Sequence, residues 1–444
     1  MKKKLLCLLF AAFMMLAMVG TGCNGDKPDS PGDDGSPRRI TVGTWFDVYY
    51  TSAHTSPYDN PEVTDPDLAQ MQIDNMRAIE ERYNVRFEFV NLTWNGVQES
   101  IATSIMAGMP DCDIYQADLQ FGIPTVLSGL AIGLESEAIG LDQTADVFSD
   151  MQVMRALNLN QPETYLFASS LVTALDVYPL SFNLDMIKAN NLENPQDLWD
   201  RGEWTWDKWR EYLRVLTDTD RGIYGWSGYW NRLLENLLFS NDTTIASGPR
   251  TTVTDSRTIQ VFQLIYDIYN TDRTGRPWDD SDWDINNNLY AEGRSGFFIG
   301  ADWLFGEQGG AELPFEIGVV PWPIGPSGNK DTNFHGAVGG NWYFIPRGVE
   351  NPRLVYDVMY DWMNWYNYEV EIAVDMEWTM NRYMTERNFE YAFMMNQKTG
   401  FDIWNNLGLG DDFSMEQIMD GEMTAAQYAA TVEQIIQDAL DNFF

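Results

Sequence analysis

Trp45 and Asp47, then Trp94, then Asp118 and Gln120 are side chains suited to holding a ligand without reacting with it. An indole covers a flat apolar face, and carboxylates and amides accept from or donate to hydroxyls. Together they match a molecule with C–H faces and many hydroxyls, as a sugar has. Each has a plainer use as well. Trp45 and Trp94 can pack in a core, and Asp118 can cap a following helix. Residues 225–231 (GWSGYWN) set Trp226, Trp230 and Asn231 among glycines, which suits an exposed aromatic platform. Of that pair, Trp230 is the expected stacking residue and Trp226 the better packing residue. Asp176, ahead of a predicted strand ending at Asn183, is a further acidic candidate whose plainer role is that of a solvated loop acid.

Covalent chemistry has little to work with. His54 and His335 are the only histidines and lie far apart in the chain, and no GxSxG, HExxH or paired Cys occurs. Among 66 Asp and Glu residues no two are marked out as a glycoside-cleaving pair. No catalytic residue is assigned. Cys112 is expected to be a buried structural thiol. Residues 218–222 (DTDRG) start like a calcium loop, but its twelfth position is Tyr229, which cannot supply the closing carboxylate. Residues 279–284 (DDSDWD) suit a solvated loop. No metal and no cofactor are expected.

The elements that would position these residues follow from periodicity. Residues 40–43 form a short apolar strand. Ala69, Ile73, Met76, Ile79 and Tyr83 then recur at helical spacing. Val85, Phe87 and Phe89 alternate with Arg86 and Glu88, a strand of period two. Val97, Ile101 and Ile105 mark a helix stopped near Gly108 and Pro110. Residues 113–118 are the next strand. This β-α-β-α-β order argues for a parallel sheet with crossover helices, and places the first five candidates at its C-terminal edge. No glycine-rich phosphate loop follows any of these strands. Further on, strands are expected at 179–183, 296–300, 315–320 and 339–346. Helices are expected from Trp206, with Thr205 as N-cap, at 258–269, at 352–365 and at 424–443, the last opened by a Thr424/Gln427 capping box.

Composition narrows the setting. The formal net charge is −38, so a nucleic-acid partner is not expected. Aromatic residues make up 14% of the chain, with 17 Trp, more than core packing alone leads one to expect. The N-terminus reads Lys2, Lys3 and Lys4, an uncharged run from Leu5 to Val19, then Gly20-Thr21-Gly22-Cys23. That order is an export signal, and the run is short for a bilayer span. The small residues before Cys23 resemble a bacterial lipobox, with Gly20 where that signal usually has Leu or Val. The resemblance implies a signal peptide over 1–22 and lipidation of Cys23. Residues 23–39, rich in Gly, Pro, Ser and charge, form a flexible tether. The expected location is the outer face of the cell membrane.

Four stretches, in order, resemble the extracellular solute-binding proteins of family 1 that feed ABC importers. They are Ser181 to Ile187 with Trp206-Asp207, Tyr290 to Gly296 with Asp302-Trp303, Ile317 to Pro326, and Gly339-Gly340-Asn341 to Gly348. The resemblance implies an α/β fold of the type II periplasmic-binding-protein kind, with a ligand cleft between two lobes joined by hinge strands. One lobe would take residues 40–173 plus 342–375, and the other 174–341 plus 376–444. It places Asp176 at an acidic hinge position, Trp303 at a site-facing position, and Asn341 and Trp342 at a crossing between lobes. It implies a monomer that captures a carbohydrate, expected to be an oligosaccharide, and docks to membrane permease subunits without altering the ligand. A secreted carbohydrate-active hydrolase, or the same fold holding a peptide or another polar metabolite, are the alternatives.

Overall fold

A computed structural model describes residues 35–48, 51–60, 63, 65–142, 163–167, 176–278, 285–299, 313–333, 335–338, 342–366, 383–396, 398–400, 402–407, 409 and 413–443. Strand β1 (Arg38–Thr44) leads through helix α1 (Pro66–Tyr83) to β2 (Val85–Asn91). Helix α2 (Trp94–Ser100), extended by a wider turn over Ile101–Ile105, leads to β3 (Ile114–Ala117), and α3 (Leu119–Leu127) follows. Both β2 and β3 pair with β1 in parallel, as the alternating pattern requires. α1 begins because Asp65 accepts from the amides of Asp67 and Leu68, with Pro66 in the first turn, and it ends at the left-handed Asn84. Its Ala69, Ile73, Met76 and Ile79 are buried, the stripe that the sequence spacing marks.

The chain then supplies β4 (Asp176–Val177), β5 (Leu180–Asn183), α4 (Trp206–Leu216), β6 (Tyr224–Ser227), α5 (Trp230–Ser240) and α6 (Ser256–Tyr266). Strands β7 (Ser295–Ile299), β8 (Ile317–Val320), β9 (His335–Val338) and β10 (Trp342–Phe344) come next. Helix α7 (Pro352–Met363), β11 (Thr399–Gly400) and α8 (Ala425–Phe443) complete the elements used here. Thr205 caps α4 by accepting from the Lys208 amide, and Thr424 and Gln427 bond reciprocally ahead of α8, as expected of each.

Two main sheets result. The first has the order β10-β3-β1-β2, with β10 antiparallel to β3, and the second the order β8-β5-β7-β6. Each organises its own apolar core. One core joins residues from Ile40 to Phe167 with Trp342 to Met363, and the other joins Leu180 to Trp322 with Tyr383 to Leu440. Both are therefore discontinuous in sequence. A third small sheet, β11-β9-β4, holds two strands that lie next to chain crossings, with Val338 opposite Asp176. Ile403 and Leu407 pack against both cores and mark the seam between them.

The tryptophan excess has a structural origin in the second core. Trp204, Trp209, Trp226 and Trp322 are all wholly buried. Trp209, Trp226 and Trp322 meet edge to face at centroid separations of 5.8 to 6.1 Å. Trp226 is thus a correction to the expected platform. Its indole donates to the Tyr269 hydroxyl at 3.2 Å, and the glycine before it is there for packing: a Cβ on Gly225 would come within 2.4 Å of the Leu213 carbonyl of α4. Trp342 is a second correction. It is 1% exposed, inside the first core on β10, and leaves no face for a ligand. Cys112 is buried and free, and burial, aided by Asp111 and Asp113, pushes its thiol up to about 12, which disfavours the thiolate and suits a structural thiol.

Candidate functional site

The strand ends of the first sheet bring one aromatic group together. Trp45 and Phe46 follow β1, Trp94 follows β2, and Phe121 lies in the first turn of α3 after β3. Trp45 meets Trp94 at 5.3 Å and Phe121 at 5.9 Å, and Trp94 meets Phe121 at 5.2 Å, all edge to face. The buried rims hold one another, while Phe46 and Trp94 keep 44% and 38% of their surface open. An apolar face is therefore offered to solvent by rings that cannot easily turn.

Backbone geometry supports that placement. Thr93, just before Trp94, has φ +66 and ψ 164, a conformation that suits glycine and strains a β-branched residue. Two side-chain bonds fix it: Asn91 accepts from the Thr93 amide at 3.0 Å, and Thr93 accepts from the Gly96 amide at 3.3 Å. Asn91 also donates to the Asp47 carboxylate at 3.0 Å. An exposed carboxylate and amide thus stand next to the aromatic group and can meet ligand hydroxyls.

Asp118 is buried and accepts from the Gln120 amide at 2.9 Å, so it does cap α3; Gln120 itself is exposed. Burial raises the Asp118 carboxyl above the usual carboxylate range, against the lowering effect of that amide and of Arg232. Arg232 belongs to the other core. It lies on α5, pairs with Glu235 at 3.0 Å, and stands over the Tyr178 ring at 5.2 Å. Asp402 sits at the same seam. It caps the turn Ile403–Asn406 and accepts from the amides of Ile245, Ala246 and Trp404. Full burial still pushes its carboxyl up to about 7.

On this second side Trp230 is half-buried, stacked on Trp404 at 6.3 Å and edge-on to Phe413 at 6.4 Å. Asn231, next to it, accepts from the Arg232 amide. Asp176 is placed in β4 by its backbone, opposite Val338. Trp303 and Asn341 lie outside the described residues. The structure therefore gathers Trp45, Asp47, Trp94, Asp118 and Gln120 at one sheet edge, with Trp230 and Asn231 on α5, and removes Trp226 and Trp342.

Phe46, Asn91, Phe121, Arg232, Glu235 and Asp402 were not singled out by sequence. The first three sit within four residues of a strand end, so the rule that selected Trp45 and Asp118 reaches them too. Among the described residues no group of three or more potential metal ligands occurs. Asp218 caps the turn that ends at Gly222 by accepting from Arg221, and it lines an open concavity of about 650 Å³ on the second lobe that the aromatic group does not border. Nor is any described helix long and apolar enough to cross a membrane.

Two α/β cores, each discontinuous in sequence and meeting at Ile403 and Leu407, define a two-lobe protein. The model of the family described as bacterial extracellular solute-binding protein matches residues 67–367, well over half of the chain, and the chain belongs to that family. No curated protein sequence matches it. Solved structures share the fold. The ABC substrate-binding protein Lmo0181 from Listeria monocytogenes, in complex with cycloalternan, is 14% identical with a TM-score of 0.68 over 91% of this chain and 99% of that one. The GacH receptor of Streptomyces glaucescens, solved unliganded and with acarbose, is 13% identical with a TM-score of 0.65 over 91% and 98%. UgpB from Mycobacterium tuberculosis, in complex with glycerophosphocholine, is 14% identical with a TM-score of 0.64 over 91% and 98%.

Proposed function

We propose that the protein captures a carbohydrate, an oligosaccharide in size, and delivers it to the permease of an ABC importer. The observation that carries this is the aromatic group of Trp45, Phe46, Trp94 and Phe121, with Phe46 and Trp94 open to solvent and Asp47 and Asn91 beside it. Rings give the apolar face and the carboxylate and amide give the hydroxyl partners. The charge of the site separates ligand classes. Asp47 is exposed beside the aromatic group and Asp118 is buried at the start of the helix that carries Phe121, and this acidic bias favours a neutral polyol over a phosphate or carboxylate ligand.

In this proposal the lobes comprise residues 40–173 plus 342–375 and residues 174–341 plus 376–444, and Asp176, Trp303 and Asn341 line the cleft from the crossings. The two discontinuous cores support that division. Residues 1–22 act as the signal peptide, Cys23 carries the lipid, and residues 23–39 tether a monomer to the outer face of the cell membrane. Capture proceeds by closure of the lobes over the ligand, with no bond made or broken in it.

A lipid-free Cys23→Ala protein titrated calorimetrically with a malto-oligosaccharide panel tests this. Binding with a smaller radius of gyration and an unchanged oligosaccharide is expected. Cleavage of the sugar would move the protein to the hydrolases, and absence of binding across mono- and oligosaccharides would remove the carbohydrate assignment.

A further inference from the structure

Only Leu92 and Thr93 link the end of β2 to the start of α2, and that short link has two demands to meet. Leu92 packs inward on the first core, so close to β1 that a Cβ on Gly43 would come within 2.9 Å of its side chain. Trp94 must then face outward and begin a helix whose Val97 is buried in the same core. Thr93 absorbs the change of direction at φ +66 and ψ 164, a region open essentially only to glycine. A residue strained in this way keeps its conformation only where its surroundings hold it.

The hold comes from Asn91. It ends β2 and is paired with Thr44, which ends β1, so it stands where the loops carrying Trp94 and Asp47 part. Its side-chain carbonyl accepts from the Thr93 amide at 3.0 Å, and its side-chain NH2 donates to the Asp47 carboxylate at 3.0 Å. A carboxylate only accepts and a backbone amide only donates, so the two partners need one donor and one acceptor on the same short side chain. Asn carries both at this reach, Asp lacks the donor, and Leu, of similar shape, lacks both. The Asp47 loop has a second tie to the strand ends, because the Thr44 hydroxyl donates to the Phe46 carbonyl at 2.8 Å. Trp45, on that loop, meets Trp94 at 5.3 Å, so a displacement of either loop reaches the other.

We propose that Asn91 is a positioning residue that braces the Asp47 and Trp94 loops against each other and sets the carboxylate relative to the aromatic face. The proposal rests on the carbohydrate assignment for its ligand, but the brace itself belongs to the ligand-free protein. Without it Thr93 relaxes toward ordinary backbone angles and Trp94 turns with it, so the arrangement that accepts a ligand becomes one of several. Affinity then falls in proportion to the fraction of molecules still in that arrangement.

Lipid-free Cys23→Ala protein labelled with fluorotryptophan gives a readout that needs no ligand: the fluorine resonance of Trp94, assigned with Trp94→Phe. Asn91→Ala should move or broaden that resonance and weaken binding of the tightest malto-oligosaccharide roughly tenfold. Asn91→Asp keeps the acceptor for Thr93 and loses the donor to Asp47, so it should leave the resonance in place and weaken binding roughly threefold. Thr93→Gly added to Asn91→Ala should return the resonance toward its wild-type position and recover part of the affinity, because glycine adopts these angles without strain. A side chain that only touched the ligand, or only supported the fold, would not be rescued by a change at Thr93. An unmoved resonance in Asn91→Ala, or one that Thr93→Gly does not return, would overturn the proposal. Should no sugar bind, the carbohydrate assignment falls, and the two resonance shifts still decide the brace.

Discussion

Trp94→Ala is the substitution that tests the aromatic group most directly. An aromatic side chain of this size can bury up to about 250 Å², and Trp94 keeps 38% of its surface open in the protein. A ligand that covers the open part therefore removes roughly 95 Å² from water, worth about 2 kcal/mol at about 25 cal/mol per Å². Loss of that contact should weaken binding roughly thirtyfold. The other part of the ring is held against Trp45 and Phe121, so the variant also loses stability, and titrations belong well below its melting temperature. Calorimetry against the tightest-binding member of a malto-oligosaccharide panel gives the ratio of dissociation constants. The expected loss appears in that ratio for the folded protein, independently of how much the melting point drops. A change smaller than about threefold, against the roughly thirtyfold expected from the open area, would show that the ligand does not lie on Trp94.

Trp226→Ala should do the opposite: it opens a cavity among Trp209, Trp322 and Tyr269, costs about 3–5 kcal/mol of stability, and leaves the affinity of the remaining folded protein at the wild-type value in the same titration. Cys23→Ala should move the protein from the membrane pellet to the soluble fraction, because residues 24–39 offer no other apolar handle; continued pelleting would refute lipidation as the anchor. Asp402 gives a pH dependence whose sign can be worked out. Its carboxyl titrates at about 7 in the folded protein against 3.8 as the ordinary value, so between those values unfolding releases a proton and stability falls as pH rises. Asp118 and Glu235 are also raised and act in the same direction, whereas the lowered Glu80 loses its contribution only as pH drops below the ordinary carboxylate range. The melting temperature should therefore be higher at pH 5.5 than at pH 8, and Asp402→Asn should flatten that slope.

The first sheet was legible because its signals are local. The period-two run of β2 and the helical stripe of α1 each fit one environment only, and their alternation dictates parallel pairing. From that topology the strand-end rule located Trp45, Asp47, Trp94, Asp118 and Gln120 without any contact being known. Residues 225–231 misled for the opposite reason. A glycine beside tryptophans can mean exposure or close packing, and only the position of Leu213, twelve residues away and on another element, decides that Gly225 is packed. Trp342 depends on the same kind of distant partner, because it is buried by the first core from which more than 170 residues separate it in sequence. Arg232 carried no local signal: its ion pair with Glu235 is unremarkable in sequence until the second core buries both side chains.

The polar groups at the seam have a common origin that explains why capture and folding do not compete here. Asp118 and Asp402 are both N-caps, required by the helix or turn that each begins, and β-α-β topology delivers Asp118 to the C-terminal edge of the first sheet. Their carboxylates are thus in place before any ligand arrives, held by backbone amides that fix orientation without consuming every lone pair. The aromatic group is fixed in the same way, by edge contacts among its own members and by the strained Thr93 backbone. In the proposed capture, little ordering is then left beyond the approach of the lobes, and a site prepared in this way loses less entropy than one assembled around its ligand. The buried tryptophans of the second core complete the division of labour. They pack densely around α5, so that Trp230, Asn231 and Arg232 on it are held as parts of one stiff body.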